Sequence, residues 1–596
     1  MNQPILVAVA WPYANGYAHL GHVAGALLPA DIFARYHRLR GNRVLMVSGS
    51  DAHGTPVTFE ADQEGVTPRE LFLRYHHAFA QSFRELGLSY DLFTHTDTEN
   101  HSRVSQDIFK QLLAAELIFR KPAQQLYCEH DACFLPDRYV YGRCPVCGFP
   151  NARGDQCQNC DSVLDALELG DPQCKLAKPG DPPHPVVVRE TDHFYLDLPA
   201  QAGPLLTWVE QQSQNWRPNV ARFVRNYVAG GLQARAITRD LEWGVPVPLP
   251  GWEAKRLYVW FEAVIGYLSA SIEWAAHQGQ PDVWKDWWYN RQAETYYFIG
   301  KDNIPFHAII WPAMLMGVPG LYDDSQEPRR ALNLPDDIPS NEFLNVEGRK
   351  FSKSERWAVW LPDALARYDP DPLRYYLTAV APETHDSDWA WSDFLRRNND
   401  ELVGTWGNLA NRVLTFAYRN FDKQVPEAGS LDDVDRALLA SVEAGFRPIG
   451  QLLETRQFRS ALAEAMGLAR EGNRYLNAKA PWQQIKTDRA AAATTIYVAL
   501  RVIDSLKILF YPFLPFSSQS LHQQLGYDDD LLGALEIADY DEEASRHEAL
   551  VYRQSGSGDR WQPSALRAGQ ALREPKALYK KLDSKIVEEE IARLGK

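Results

Sequence analysis

Trp11-Pro12-Tyr13-Ala14-Asn15-Gly16-Tyr17-Ala18-His19-Leu20-Gly21-His22 follows an apolar run, Ile5 to Ala10, that reads as a buried strand. After it an apolar-periodic segment continues to Arg40, so the stretch is the turn of a strand-turn-helix unit. His19 and His22 lie three residues apart on one helix face, and a helix N-terminus offers phosphate free backbone N–H groups and a favourable dipole. Gly21 between them lets a base or phosphate approach the backbone. Outward from this unit, Arg43 to Gly49 reads as a second strand and Arg69 to Leu86 as a long helix. The alternation predicts a parallel sheet with a nucleotide crevice at the carboxyl ends of its strands. Asp51 stands just past the second strand, where such a sheet presents ligand-binding groups; its plainer reading is a turn with a helix cap.

A second chemistry-bearing stretch lies far downstream. Lys350-Phe351-Ser352-Lys353-Ser354, shortly after Gly348, supplies two lysines and two hydroxyls. A charged loop is usually solvated surface, and Lys350 fits that reading; Lys353, between two serines, is the better candidate to follow moving phosphates as a point charge.

Bulk properties bound the answer. A chain of 596 residues, 45% apolar and 12% aromatic, can bury several cores, and three to five domains or subdomains are expected. A net charge of -15 argues against an indiscriminate nucleic-acid coat, which needs a broadly basic surface. The longest apolar candidate, Thr495 to Phe516, is interrupted by Arg501, Asp504, Lys507 and Pro512, and so predicts a buried helix, not a membrane span. No basic run precedes the first strand, so a cytoplasmic protein is expected. All seven cysteines fall between Cys128 and Cys174, which suits metal ligation in a reducing compartment.

From about 116 to 230 the strand-helix rhythm gives way to a Cys-, Pro- and Gly-rich insertion. Its Cys144-x2-Cys147-x9-Cys157-x2-Cys160 has the paired spacing of a structural zinc site, four thiolates closing a tetrahedral shell. The sheet pattern returns over 231–320, with Arg256 to Phe261 and Thr295 to Ile299 as expected strands, and Leu321 to Phe343 reads as a connection. Beyond Asp393 come long amphipathic helices (Phe394 to Arg419, Leu431 to Glu454, Phe458 to Asn477, Ala490 to Phe510) with no strand expected among them. The last fifty or so residues hold a flexible stretch, Ser555 to Gly558, and a charged helix, Ser584 to Leu594.

The two motifs together resemble the HIGH and KMSKS elements of class I aminoacyl-tRNA synthetases. The flanking residues narrow the resemblance to the methionyl-tRNA synthetase family: Pro12 to Gly16, Gly49 to Pro56, Phe134 to Arg138, the four-cysteine knuckle, Tyr258 to Tyr267, Phe298 to His307 and Trp311 to Leu315. The resemblance spans nearly the whole chain and implies an α/β fold. A Rossmann-type catalytic domain would occupy 1–115 and 231–320 and be interrupted by a zinc-binding insertion at 116–230. A stem-contact region at 321–392, an α-helical anticodon-binding bundle at 393–545 and a C-terminal extension at 546–596 would follow.

By that resemblance His19, His22, Lys350 and Lys353 are the catalytic set; Gly21 and Asp302 join His19, His22 and Lys353 at ATP, Asp302 taking the ribose hydroxyls; and Asp51 holds the α-amino group of L-methionine. Trp11, Tyr13, Trp260, Ala263, Tyr267 and His307 would surround its thioether, which aromatic walls suit. Trp11 and Val264 depart from the family pattern, replacing a smaller apolar residue and a proline common there, changes that bear on the shape of the pocket. Asn408, Arg412 and Trp482 would read the unstacked CAU anticodon of tRNA(Met). From the residues alone, a cap, a solvated arginine and a core tryptophan would serve as well.

One structural Zn2+ and Mg2+ with ATP are the implied cofactors. A second, degenerate knuckle would draw on Cys128, Cys133, Cys174 and His130, since Asp131 and Ala177 stand where two further ligands are expected. With no appended oligonucleotide-binding barrel, a monomer is expected. The rival readings are a class I synthetase for leucine, isoleucine, valine or cysteine, and a catalytically inactive tRNA-binding descendant. An insertion of about 115 residues dominated by its knuckle disfavours an editing enzyme. Intact His19, His22, Asp51 and Lys353 disfavour an inactive one.

Overall fold

The computed structural model describes every residue except 1–2, 137–138, 155–156, 161, 163, 178–181, 324–328, 354, 544 and 557. Ser354 of the lysine loop, Asp137 and Arg138 of one family stretch, Ser557 of the expected flexible stretch and part of the 321–343 connection therefore lie outside the described residues.

The central sheet has seven strands: β1 (Pro4–Val9), β2 (Arg43–Ser50), β3 (Leu92–His95), β4 (Glu294–Gly300), β5 (Ser340–Asn341), β6 (Ala534–Asp541) and β7 (Arg546–Arg553), in the order β5-β4-β1-β2-β3-β7-β6. The first five run parallel, and β1 is buried at every residue, as a central strand covered on both faces must be. The helix begun at Leu20 passes through one π-helical turn, Val23–Leu27, into α1 (Leu28–Leu39).

The hairpin β6–β7 corrects the expectation of uninterrupted helix to 545. Ala534–Asp541 alternates between exposed and half-buried along a sheet edge, whereas β7 is mostly buried and pairs antiparallel with β3. The chain thus returns to the central sheet before its C-terminal segment. A second correction concerns Arg256 to Phe261: only Lys255–Leu257 is strand, and Val259–Glu262 turns into helix. The expected C-terminal helix is shorter, Ile586–Ile591. Its Glu590 is buried against Arg367 and Tyr368.

In the insertion, Ile118–Cys128 and Val186–Leu196 form a long antiparallel ribbon that carries the cysteine knuckle at its far end. Helices α2 (Asn408–Asn420), α3 (Asp433–Glu454), α4 (Phe458–Lys479), α5 (Pro481–Thr487) and α6 (Arg489–Phe510) make the bundle. The bundle shares one apolar core with the helix of His19 and His22 and with one face of the sheet; a second core fills the other face. Among the described residues no helix is long and apolar enough to cross a membrane.

Candidate active site and its associated sites

His19 is the N-cap of the first helix, and the two histidines cap it reciprocally. Gly21 N–H donates to His19 Nδ1 at 3.1 Å, and His19 N–H donates to His22 Nδ1 at 3.2 Å. Both Nδ1 atoms are thereby acceptors, so each neutral ring carries its proton on Nε2, free to donate to phosphate. Burial and the neighbouring Lys353 charge lower both imidazoles, that of His22 to about 3, which keeps them neutral. The rings stack at 3.7 Å, and Phe351 of the lysine loop stacks on His19 at 4.6 Å. A Cβ at Gly21 would lie 2.9 Å from the His19 ring, so glycine is required for this packing.

The crevice above them is a cavity of about 360 Å³ lined by His19, Gly21, His22, Asp302, Glu342 and Lys350 among others. Lys350, which alone read as surface, therefore faces the cavity. Lys353 is not among the residues lining it: its Nζ donates to Asn15 Oδ1 at 3.0 Å and lies 3.1 Å from where a Gly16 Cβ would be. The two motifs, more than 300 residues apart, close on each other.

Beside this crevice is a cluster of aromatic side chains. Tyr13 meets Trp260 edge-on at 6.0 Å, Trp260 stacks on Phe306 at 4.1 Å, and the Tyr267 hydroxyl bonds His307 Nε2 at 2.6 Å. His307 Nδ1 bonds the Asn303 carbonyl, and burial lowers its pKa to about 4, so the ring is a neutral bridge between pocket and crevice. Trp11 fits because its neighbours are glycines: a Cβ at Gly49 or Gly266 would come within 2.2 or 2.6 Å of its ring. Its edge faces Tyr267 at 6.4 Å. Val264 is buried in the core behind the pocket.

Asp51 is bracketed by backbone bonds, Asp51 N–H to Pro12 and Ala14 N–H to Asp51, which fix it against the Tyr13 turn. Its carboxylate accepts from His53 N–H at 3.3 Å, while burial and the nearby Glu262 charge raise its pKa. Glu262 is fully buried between His53 Nδ1 (3.2 Å) and His101 Nε2 (2.6 Å). A bound ammonium group would complete the charge balance at Asp51.

In the knuckle, Cys144, Cys147, Cys157 and Cys160 bring four sulfurs within 4.8 Å of one another. Two pairs stand 3.9 and 3.6 Å apart. Four thiolates around a zinc ion at about 2.3 Å would be about 3.8 Å apart, so the residues present fit the ion. A second group differs from the expected one: Cys128 and Cys174 converge with Asp131 and His184, not with Cys133 and His130. Cys133 sits across the strand pair from Cys128, and His130 stacks on the outside of the His184 ring at 3.9 Å. His184 belongs to no knuckle spacing, so sequence gave no sign of it.

In the bundle, Arg412 donates to Asn477 at 3.2 Å and its guanidinium lies 4.9 Å from the Trp482 ring centre. Both line a cavity of about 330 Å³ with Asn411, Arg419 and Leu476. Trp482 is 38% exposed at the break where Ala480, at φ 45°, turns α4 into α5.

The family model for class I tRNA synthetases (M) matches residues 5–414, and that for the anticodon binding domain of methionyl tRNA ligase matches residues 425–540. A methionine–tRNA ligase of Thermomicrobium roseum is 59% identical over 100% of this chain and 99% of its own length. The chain belongs to the methionine–tRNA ligase family. Another relative, from Chloroflexus aurantiacus, is 53% identical over 100% of this chain and 99% of its own. Among solved structures, Mycobacterium tuberculosis methionyl-tRNA synthetase in complex with methionyl-adenylate superposes with a TM-score of 0.74 at 25% identity, covering 97% of this chain and 99% of that one.

Of the residues that the family resemblance singled out, the structure brings Trp11, His19, Gly21, His22, Asp302 and Lys350 around one cavity, holds Lys353 on Asn15 outside that lining, and gathers Tyr13 with Trp260 and Tyr267 with His307. Asn408 is exposed one turn from Arg412 and outside the lining of the bundle cavity, where Asn411 and Arg419 stand instead. Sequence reasoning also missed Glu262 with its two histidines, a cluster drawn from three separate segments.

Proposed function

We propose that this chain ligates L-methionine to the 3′-terminal adenosine of a tRNA with a CAU anticodon, in two steps. The methionine carboxylate attacks the α-phosphate of ATP in line; a P–O bond forms, the bond to the β-phosphate breaks, and pyrophosphate leaves. A terminal ribose hydroxyl then attacks the aminoacyl carbonyl, releasing AMP. Neither step uses a protein nucleophile, so catalysis is positioning and charge stabilisation. His19 and His22 donate from Nε2 to phosphate, Lys350 and Lys353 follow the charge that departs, and Asp302 takes the ribose. Asp51 holds the α-ammonium group, while Trp11, Tyr13, Trp260, Ala263, Tyr267 and His307 enclose the side chain. Mg2+ accompanies ATP, and Cys144, Cys147, Cys157 and Cys160 hold a structural Zn2+. Arg412 and Trp482 supply a cation and a stacking face for unpaired anticodon bases, with Asn408 at their edge.

The observation that carries this reading is the closure of Lys353 on Asn15 and Gly16 beside an aromatic pocket. Charging of a CAU transcript and of one with a changed anticodon by labelled methionine tests it. Charging of the CAU transcript at a kcat/KM higher by about 10²-fold or more, the scale of losing good base contacts, supports it; equal charging of both contradicts it. The working unit is read as a cytoplasmic monomer, for which light scattering should return the chain's own 67.7 kDa.

A further inference from the structure

Helix α4 spans 22 residues, about 33 Å at the usual rise, and its two ends lie in different sites. At the C-terminal end Leu476 lines the bundle cavity and Asn477 accepts from Arg412. At the other end Arg456, at φ 57°, turns the chain from α3 into α4.

The Arg456 carbonyl accepts from Arg217 Nη2 at 3.1 Å, and Arg217 Nη1 donates to the Ser340 carbonyl at 3.0 Å, to Asn341 Oδ1 at 2.5 Å and to the Glu383 carbonyl at 3.1 Å. Arg217 is the residue before the insertion helix Pro218–Ala229. One guanidinium thus joins the insertion, the end of the sheet, the stem-contact region and the bundle. The same junction is braced twice more: Arg456 pairs with Asp337 at 2.5 Å, and Glu383 Oε1 accepts from Arg459 N–H at 3.0 Å. From Asn341 the connection continues inward. Its Nδ2 donates to the Ala24 carbonyl at 2.9 Å, two residues past His22, and its backbone pairs with Gly300. Gly300 and Glu342, on either side, line the nucleotide cavity.

We propose that Arg217 is a positioning residue that couples occupancy of the bundle cavity to the geometry of the nucleotide cavity, through α4 at one side and Asn341 at the other. The inference rests on the anticodon reading of the bundle cavity. Asn477 and Arg456 stand at the two ends of this one helix, so a shift of α4 at Asn477 reaches Arg456 along it. Only a planar fork with several fixed donors can hold four acceptors at once, and a lysine ammonium in its place would keep the charge but lose the junction. Spatial continuity alone does not demonstrate coupling, which must be measured as non-additivity.

The test uses the full chain as wild type, Arg217→Met, Trp482→Ala and the double variant. Three quantities are measured: charging kcat and Kd for a CAU transcript, and methionine-dependent pyrophosphate exchange without tRNA. The proposal expects Arg217→Met to lower charging kcat about 10-fold, within the range of ordinary site-to-site coupling. Exchange and tRNA Kd should stay within about threefold, close to the scatter of uncoupled substitutions. Trp482→Ala should lower charging kcat in the wild-type background and have no further effect in the Arg217→Met background. An equal factor in both backgrounds, or an exchange rate that falls as far as charging, overturns the proposal. Should Arg217→Met fold poorly, Arg217→Lys carries the same cycle with the charge retained, and additivity there overturns it equally. Equal charging of CAU and changed-anticodon transcripts by wild type would defeat the anticodon reading, and the coupling with it. Normal anticodon discrimination with additive variants would defeat the coupling alone.

Discussion

Lys353 closes on the turn that leads into the helix of His19 and His22, its Nζ donating to Asn15 Oδ1. The pair His19 and His22 and the loop lysines were legible as phosphate-binding types at suitable spacing. That both rings use Nδ1 to cap their own helix, and so carry their proton on Nε2, was not legible, because it depends on backbone angles at His19. Nor was the contact of Lys353 with Asn15, which only the fold creates. Removing that ammonium should slow methionine-dependent exchange about 10²-fold or more, on the scale of losing one transition-state donor. The KM for methionine should hardly move in Lys353→Ala, because Asp51 and the aromatic walls are elsewhere. A rise in that KM as large as the fall in rate would contradict the role.

At the scale of elements, the strand-turn-helix at the start, the four-cysteine knuckle and the long bundle helices followed from periodicity and spacing. The hairpin β6–β7 did not: its pairing with β3 is a contact across more than 400 residues, and its outer strand alternates only weakly. The Cys128, Asp131, Cys174 and His184 group was hidden for the same reason, since ligands from separate loops leave no spacing to find. The knuckle itself makes a definite statement. The Cys144 N–H to Phe149 and Gly148 N–H to Cys144 bonds shape the turn that brings the sulfurs together, and four thiolates left unligated would oppose that approach, so zinc should supply much of its order. Cys144→Ser should lower zinc by one per chain in elemental analysis and expose the insertion to protease, while leaving the bundle protected. Unchanged zinc content would contradict this ligand set.

Across the whole molecule, a buried carboxylate ties the bundle to the helix beside the sheet. Asp31, on α1, is fully buried against Arg35 at 2.9 Å and Arg374 at 2.7 Å, and also accepts from Ser89. Arg374 in turn donates to the carbonyls of Phe513 and Pro512, and Arg35 to the Tyr511 hydroxyl, so the node ties the end of α6 to the helix of His19 and His22. Burial alone would raise the Asp31 pKa, but the two guanidinium groups and Ser89 outweigh it and hold it at about 2. Because the folded value lies below the ordinary carboxylate value of about 3.9, the stability from this group is complete above pH ~4 and is lost as pH falls toward 2. Asp31→Asn should cost about 3–5 kcal/mol, the scale of leaving buried partners unpaired, and should flatten the acid limb of a melting-temperature profile between those pH values. An acid limb of unchanged steepness in Asp31→Asn would contradict the assignment.

The most direct single measurement is exchange of labelled pyrophosphate into ATP by the purified chain with Mg2+ and each of the twenty amino acids in turn. The account predicts exchange with methionine alone, since the crevice, the aromatic pocket and Asp51 must all act for that result. Exchange with another amino acid would contradict the pocket assignment, and none from folded, zinc-loaded protein would contradict the catalytic reading itself.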